Sequence, residues 1–192
     1  MNQPIICIDG DYGSGNLVIA EKVAKKLGLT CHIADDEPIP ERIILCHTTD
    51  EIRNDLAKIK EDIIYLAQRE ACVLAEMYVV EELKERGLNV FSVCIQGTLE
   101  SRVQRVVEEQ KIPKAQAHRL VRNRDFCYHL PPKVRMLIKT TDPHSYDFCI
   151  NTSRISLDEA VERIVSEFEK TQHMRDRKEN DGLHEKTILL KA

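Results

Sequence analysis

The chain has 192 residues, of which 42% are apolar and 31% charged, with a formal net charge of -4. That length suits one domain with its own core, and the composition excludes collagen-like, fibrous and wholly disordered chains. The negative balance argues against a general nucleic-acid binder, and no apolar run reaches the roughly 18 residues that would read as a membrane span.

The opening, MNQPIICIDG, has no basic stretch ahead of a long apolar one, so the expected location is the cytoplasm. Seven cysteines, an odd number without a C-x-x-C pair, sit mostly inside apolar runs. They are expected to be reduced core thiols rather than a zinc or redox site. The histidines are scattered without metal-ligand spacing, and no metal-binding residues are expected.

In chain order, Pro4 to Asp9 is a short apolar run before glycine, the pattern of a buried strand. Ala20, Val23, Ala24 and Leu27 recur at helical spacing, so a helix is expected from near Ser14, with Gly28 as its stop. Leu29 to Asp50, with Asp35, Asp36, Pro38 and Pro40, reads as mostly irregular with short pieces of order. Leu56, Ile59, Ile63, Leu66 and Ala67 mark one face of a helix over Asn54 to Arg69. A second strand is expected at 71–75, a helix over Val79 to Arg86 ended by Gly87, and a third strand at 89–96.

Thr98 can cap the next helix, whose stripe is Leu99, Val103, Val106 and Val107. Pro113 suits the first turn of another, which meets no breaker until Pro131. YDFCINTS reads as a fourth strand and SLDEAVERIVSEFEK as a closing helix, with Ser156 and Glu159 fitting a capping box. The stretch after Lys170 is mostly polar and reads as a mobile tail over residues 171–192, beside a domain over 1–170. Apolar strands alternating with helices imply a parallel sheet covered on both faces, an α/β fold.

The chemistry concentrates at GDYGSGNL, residues 10–17. Gly10, Gly13 and Gly15 between a strand and a helix permit backbone N–H groups to turn toward one anion, and the helix end adds partial positive charge. The spacing from Gly10 to Gly15 matches the first half of GxxxxGK[ST]. The second half fails, because Asn16 carries no charge and Leu17 cannot coordinate a metal. Gly10, Asp11, Tyr12, Gly13, Ser14, Gly15, Asn16 and Leu17 are the candidate nucleotide-binding residues. Two other readings stay open: a tight turn with no ligand, and a dinucleotide site using Asp35 or Asp36, although the glycines run G-x-x-G-x-G rather than G-x-G-x-x-G.

Three phrases, GDYGSGNLVIAEKVAKKLG, FSVCIQGTLESRVQRV and YDFCINTSRISLDEAVERI, resemble the cytidylate kinase-like family of P-loop nucleoside monophosphate kinases, from about Ile5 to Phe168. The resemblance implies a three-layer P-loop fold with a helical lid near residues 113–130. It implies ATP as phosphoryl donor, magnesium if the reaction runs, and a CMP-like nucleoside monophosphate as acceptor. By that likeness Arg122, Arg124 and Arg102 would supply catalytic charge, Asp125 and Asn151 would meet substrate, and Asp9 or Asp11 would help place the metal. Arg105 matches the same helix as Arg102, and either could equally make surface pairs with Glu108 and Glu109.

The chain departs from the family pattern at Asn16 and Leu17, at Glu76, Met77 and Tyr78 where the family often shows G-R-G, and at Phe126, Cys127 and Tyr128 in the lid. Phosphoryl transfer depends on cations placed around the moving group, so these losses imply reduced activity or a non-catalytic nucleotide-binding or interaction module. The expected partners are small-molecule nucleotides, with neither nucleic acid nor membrane, and the oligomeric state is left open.

Overall fold

A computed structural model of the chain describes residues 3–33, 58, 60–75, 79–126 and 143–189. Asp35, Asp36, the start of the helix expected from Asn54, residues Glu76 to Tyr78 and the lid beyond Phe126 lie outside these.

Five strands form one parallel sheet: β1 (Ile5–Gly10), β2 (Thr30–Ile33), β3 (Cys72–Ala75), β4 (Val90–Gln96) and β5 (Phe148–Asn151), in the order β2-β3-β1-β4-β5. Helices cover both faces: α1 (Asn16–Leu27), α2 (residues 60–67), α3 (Val80–Glu85), α4 (Leu99–Gln110), α5 (Lys114–Phe126) and α6 (Leu157–Leu189). The fold is the expected three-layer α/β arrangement.

The two-residue period of a strand sorts β1 between two cores. Ile6 and Ile8 face one side, packed with Ile19 and Val23 of α1 and with Val161, Ile164 and Phe168 of α6. Ile5 and Cys7 face the other, with Ile64 of α2 and Val80 and Leu83 of α3. All six β1 residues are buried, as the apolar run and its central place require. A third, smaller cluster joins α4 to α5 through Val103, Val106, Ala117 and Val121, with Tyr12 packed against it.

Local signals placed most boundaries. Gly28 ends α1 in a left-handed conformation at φ 68, the Thr98 side chain accepts from the Ser101 amide at the head of α4, and Ser156 accepts from the Glu159 amide at the head of α6. Two expectations are corrected. Thr30–Ile33, inside the stretch read as irregular, is an edge strand whose register is set by Cys72–Ala75 of β3, so the sheet has five strands rather than four. The closing helix does not stop at Lys170 but runs to Leu189, with no proline in its path, and Arg175 docks it by donating to the Val90 carbonyl at 2.9 Å and to Asn89.

Cys7, Cys31, Cys72, Cys94 and Cys149 are free thiols. Burial pushes Cys72 up to about 11 and Cys94 up to about 12, which keeps both protonated at neutral pH. Cys149, on β5, is exposed.

Candidate functional site

The glycine loop leaves the carboxyl end of β1, the middle strand, from which the chain first crosses to β2 and β3 and only later to β4. In an open parallel sheet that is the crevice where ligands bind. Gly10 is required by close approach, since a Cβ there would lie 2.5 Å from the Ile95 carbonyl oxygen. Gly13 at φ 78 and Gly15 at φ 86 adopt the left-handed region that favours glycine, and Gly15 caps α1 without a side-chain bond.

Not every loop amide faces a prospective anion. Asp11 N–H donates to the Ile95 carbonyl at 3.0 Å, prolonging the pairing of β1 with β4, and Ser14 N–H donates to the Asp11 carbonyl at 2.9 Å, closing the turn. The amides of Tyr12, Gly13 and Gly15 donate to no protein group among the described residues. The expectation of convergence from Gly10 to Asn16 therefore narrows to these three, together with the N-terminal end of α1.

The loop carbonyls point the other way, toward side chains from distant elements. Arg102 Nη1 donates to the Tyr12 oxygen at 3.2 Å, Arg105 Nη1 to the Gly13 oxygen at 2.6 Å, and Thr152 Oγ1 to the Ser14 oxygen at 2.8 Å. Around this cradle, Gln110 Nε2 donates to the Tyr12 hydroxyl at 2.8 Å, and the Arg124 guanidinium lies 4.9 Å from the Tyr12 ring centroid.

Asn16, in the lysine's place, is 4% exposed and accepts a long 3.4 Å bond from the Ser14 hydroxyl. Its side chain is buried within the protein. Leu17 packs against the core beneath α1.

Of the other expected site residues, Arg102 is committed to protein groups. Its guanidinium makes a two-point pair with Asp125, both contacts at 2.8 Å, and its Nε donates to the Gly97 carbonyl at 3.0 Å. Arg102 and Asp125 thus fasten α4 to α5. Arg124 is half-buried over Tyr12, while Arg122 is exposed on α5 with no hydrogen bond or ion pair among the described residues. Asn151 is exposed at the end of β5, and its Oδ1 accepts from the Ser153 amide at 2.9 Å in a local turn.

Asp9 and Asp11 were the candidates for placing a metal. Asp9 is 1% exposed and accepts from the Tyr146 hydroxyl at 2.8 Å. Asp11 accepts from the Gly97 amide at 3.2 Å, and burial holds its carboxyl above the ordinary aspartate range despite that bond and Arg102 nearby. Among the described residues no three His, Cys, Asp or Glu side chains come together as a metal site. The amides of Tyr12, Gly13 and Gly15 are the kind of donor a phosphate oxygen takes, whereas among the described residues no set of protein ligands for a magnesium ion is gathered at the loop.

Sequence reasoning placed the loop but missed Thr152 and Arg105 as its supports. The available signal was the spacing of Arg102 and Arg105, which puts both on one face of α4 toward the loop.

This sheet order with a glycine loop at the head of α1 defines a P-loop kinase fold. Residues 34–154 match the cytidylate kinase-like family, and the chain belongs to that family. The loop at 10–17 lies outside the matched residues. Among solved structures, an uncharacterized protein from Eubacterium ventriosum ATCC 27560 is similar at TM-score 0.66 and 20% identity, covering 88% of this chain and 99% of its own. A gluconokinase from Sinorhizobium meliloti 1021 gives 0.60 and 17%, covering 92% and 97%. Shikimate kinase from Acinetobacter baumannii, in complex with shikimate, gives 0.55 and 18%, covering 88% and 94%. At these identities the likeness is one of fold. No curated protein sequence matches the chain. Among the described residues no helix is long and apolar enough to cross a membrane.

Proposed function

We propose that this protein binds a nucleotide by its phosphates on the loop from Gly10 to Leu17 and transfers a phosphoryl group from ATP to a CMP-like nucleoside monophosphate only slowly. The observation that carries this reading is the set of amides of Tyr12, Gly13 and Gly15, which donate to no described protein group at the head of a helix. Magnesium would arrive on the nucleotide, since phosphate oxygens can supply ligands that are not gathered among the described residues. Among the described residues, the cations offered for the moving phosphoryl group are Arg124 and Arg122 on α5.

The slow rate follows from what is missing. Neither Asn16 nor Leu17 does the work of a lysine or a hydroxyl, and Arg102 is bound to Asp125. A well-placed arginine is worth about 10³ to 10⁵ in rate in related chemistry, so each misplaced cation is expensive. The commitment of Arg102 to Asp125 also favours a second reading, a nucleotide-binding module without turnover.

Coupled ADP release with ATP, magnesium and each nucleoside monophosphate, run beside a binding titration, separates the two. Under the first reading turnover is measurable, is best with CMP, and falls by at least 10³ in a variant carrying both Arg122→Ala and Arg124→Ala. Binding without turnover selects the second. Absence of any nucleotide binding overturns both.

A further inference from the structure

Three consecutive carbonyls of the glycine loop, those of Tyr12, Gly13 and Ser14, are each held from outside by a side chain at least 90 residues away in sequence. A trans peptide unit is planar, with its C=O and the next N–H pointing in opposite directions. Fixing the Tyr12 oxygen therefore aims the Gly13 amide, and fixing the Ser14 oxygen aims the Gly15 amide. The peptide between them, held by Arg105 at the Gly13 oxygen, sends its N–H to the Asp11 carbonyl and closes the turn.

The grips have different characters. Thr152 is 2% exposed and its hydroxyl also meets the Gln96 carbonyl at 3.2 Å, so it ties the loop to the ends of β4 and β5. The Arg105 guanidinium donates to two main-chain carbonyls, those of Gly13 and, at 3.4 Å, Thr152, and the carboxylates of Glu109 and Glu108 lie near enough to offset part of its charge. That puts a permanent positive charge behind the loop, on the side away from the amides. With Asn16 buried and uncharged, the loop has no cation of its own in front. α4 also lies close against it, since a Cβ at Gly13 would be 3.0 Å from the Arg102 carbonyl oxygen.

We infer that Thr152 and Arg105 are positioning residues for phosphate: Thr152 aims the Gly15 amide, Arg105 fixes the Gly13–Ser14 peptide that sets the turn between the Gly13 and Gly15 amides, and Arg105 supplies from behind the loop part of the charge that a lysine would bring from the front. The inference rests on the phosphate-binding reading of the loop. A preformed array of donors is worth more than the same donors recruited on binding, because the ordering cost is already met in the free protein.

The test uses the full chain, with inorganic tripolyphosphate and ATP as probes, and follows the Gly13 and Gly15 amide resonances of the free protein. Thr152→Val and Arg105→Gln are each expected to weaken tripolyphosphate binding about five- to tenfold, the range of one lost hydrogen bond to one lost charge-assisted bond. Both should shift or broaden the two glycine resonances. Thr152→Ser and Arg105→Lys should recover most of the affinity, which a merely structural loss would not predict. Arg163→Gln, a charge change at an exposed residue paired with Glu159 on α6, serves as control and should change neither reading.

Unchanged resonances in Thr152→Val and Arg105→Gln overturn the inference whether or not the probes bind. Unchanged affinity in those variants, with a wild type that does bind, also overturns it. A wild type that binds neither probe, while the variants still move the glycine resonances, overturns the phosphate-binding reading and leaves the positioning of the loop supported.

Discussion

Asn16 is the residue at which fold and chemistry separate. It begins α1 and is buried against Ser14, so the backbone keeps the course of a phosphate loop while the side chain offers a ligand nothing charged. Asn16→Lys should raise ATP affinity by about tenfold, as one charge-assisted bond would, when measured by calorimetric titration. Turnover should change little, because Leu17 still lacks the hydroxyl that would hold magnesium. An unchanged affinity would mean that a lysine here cannot reach the ligand. The gap at Asn16 was legible in sequence because motifs are written in side chains. The grips of Thr152 and Arg105 were not, because they end on carbonyl oxygens, and every residue carries one.

At the scale of elements, α4 and α5 form a small clamp against the loop, joined by Val103, Val106, Ala117 and Val121 and fastened by Arg102 with Asp125. Arg102 is 8% exposed at the side chain and Asp125 30%, so solvent screens the pair on one side only. Asp125→Asn, which keeps the shape but loses the charge, should cost about 1 to 3 kcal/mol in urea unfolding and speed amide exchange across Lys114–Phe126. Exchange that stays at the wild-type rate would show that the apolar cluster alone holds α5. The helices were legible from stripes and caps such as Thr98 and Ser156, since those signals are local. β2 was not, because Thr30–Ile33 has no apolar run of its own and becomes a strand by pairing with β3.

For the whole molecule, both sheet faces are closed by apolar layers, and the buried Ser92 on β4 is met by Asp147, an exposed residue just ahead of β5. Asp147 accepts from the Ser92 amide and hydroxyl, each at 2.8 Å, and from Lys84 at 3.0 Å. Burial pushes its carboxyl up, but the Ser92 amide, Lys84 and the Ser92 hydroxyl together pull it below the ordinary aspartate range. A carboxyl lowered on folding stabilises above its unfolded pKa, and that contribution disappears as pH falls through the folded value. Asp147→Asn should therefore be less stable than wild type at neutral pH, with the gap in urea midpoint closing through the acid titration of Asp147. A gap that stays constant with pH would remove the carboxylate from the account. The parallel order was legible because each buried strand was followed by a helix. The length of α6 was not, since its course past Lys170 is held by Arg175 against Asn89 and Val90, a contact between parts 86 and 85 residues apart. The same separation governs how the loop comes into being during synthesis. Ser14 leaves the ribosome 138 residues before the threonine that holds its carbonyl, a delay on the order of 10 s at ordinary elongation rates. A nascent chain thus carries its glycines long before it can shape them, and whatever the loop recognises must wait for the threonine to arrive.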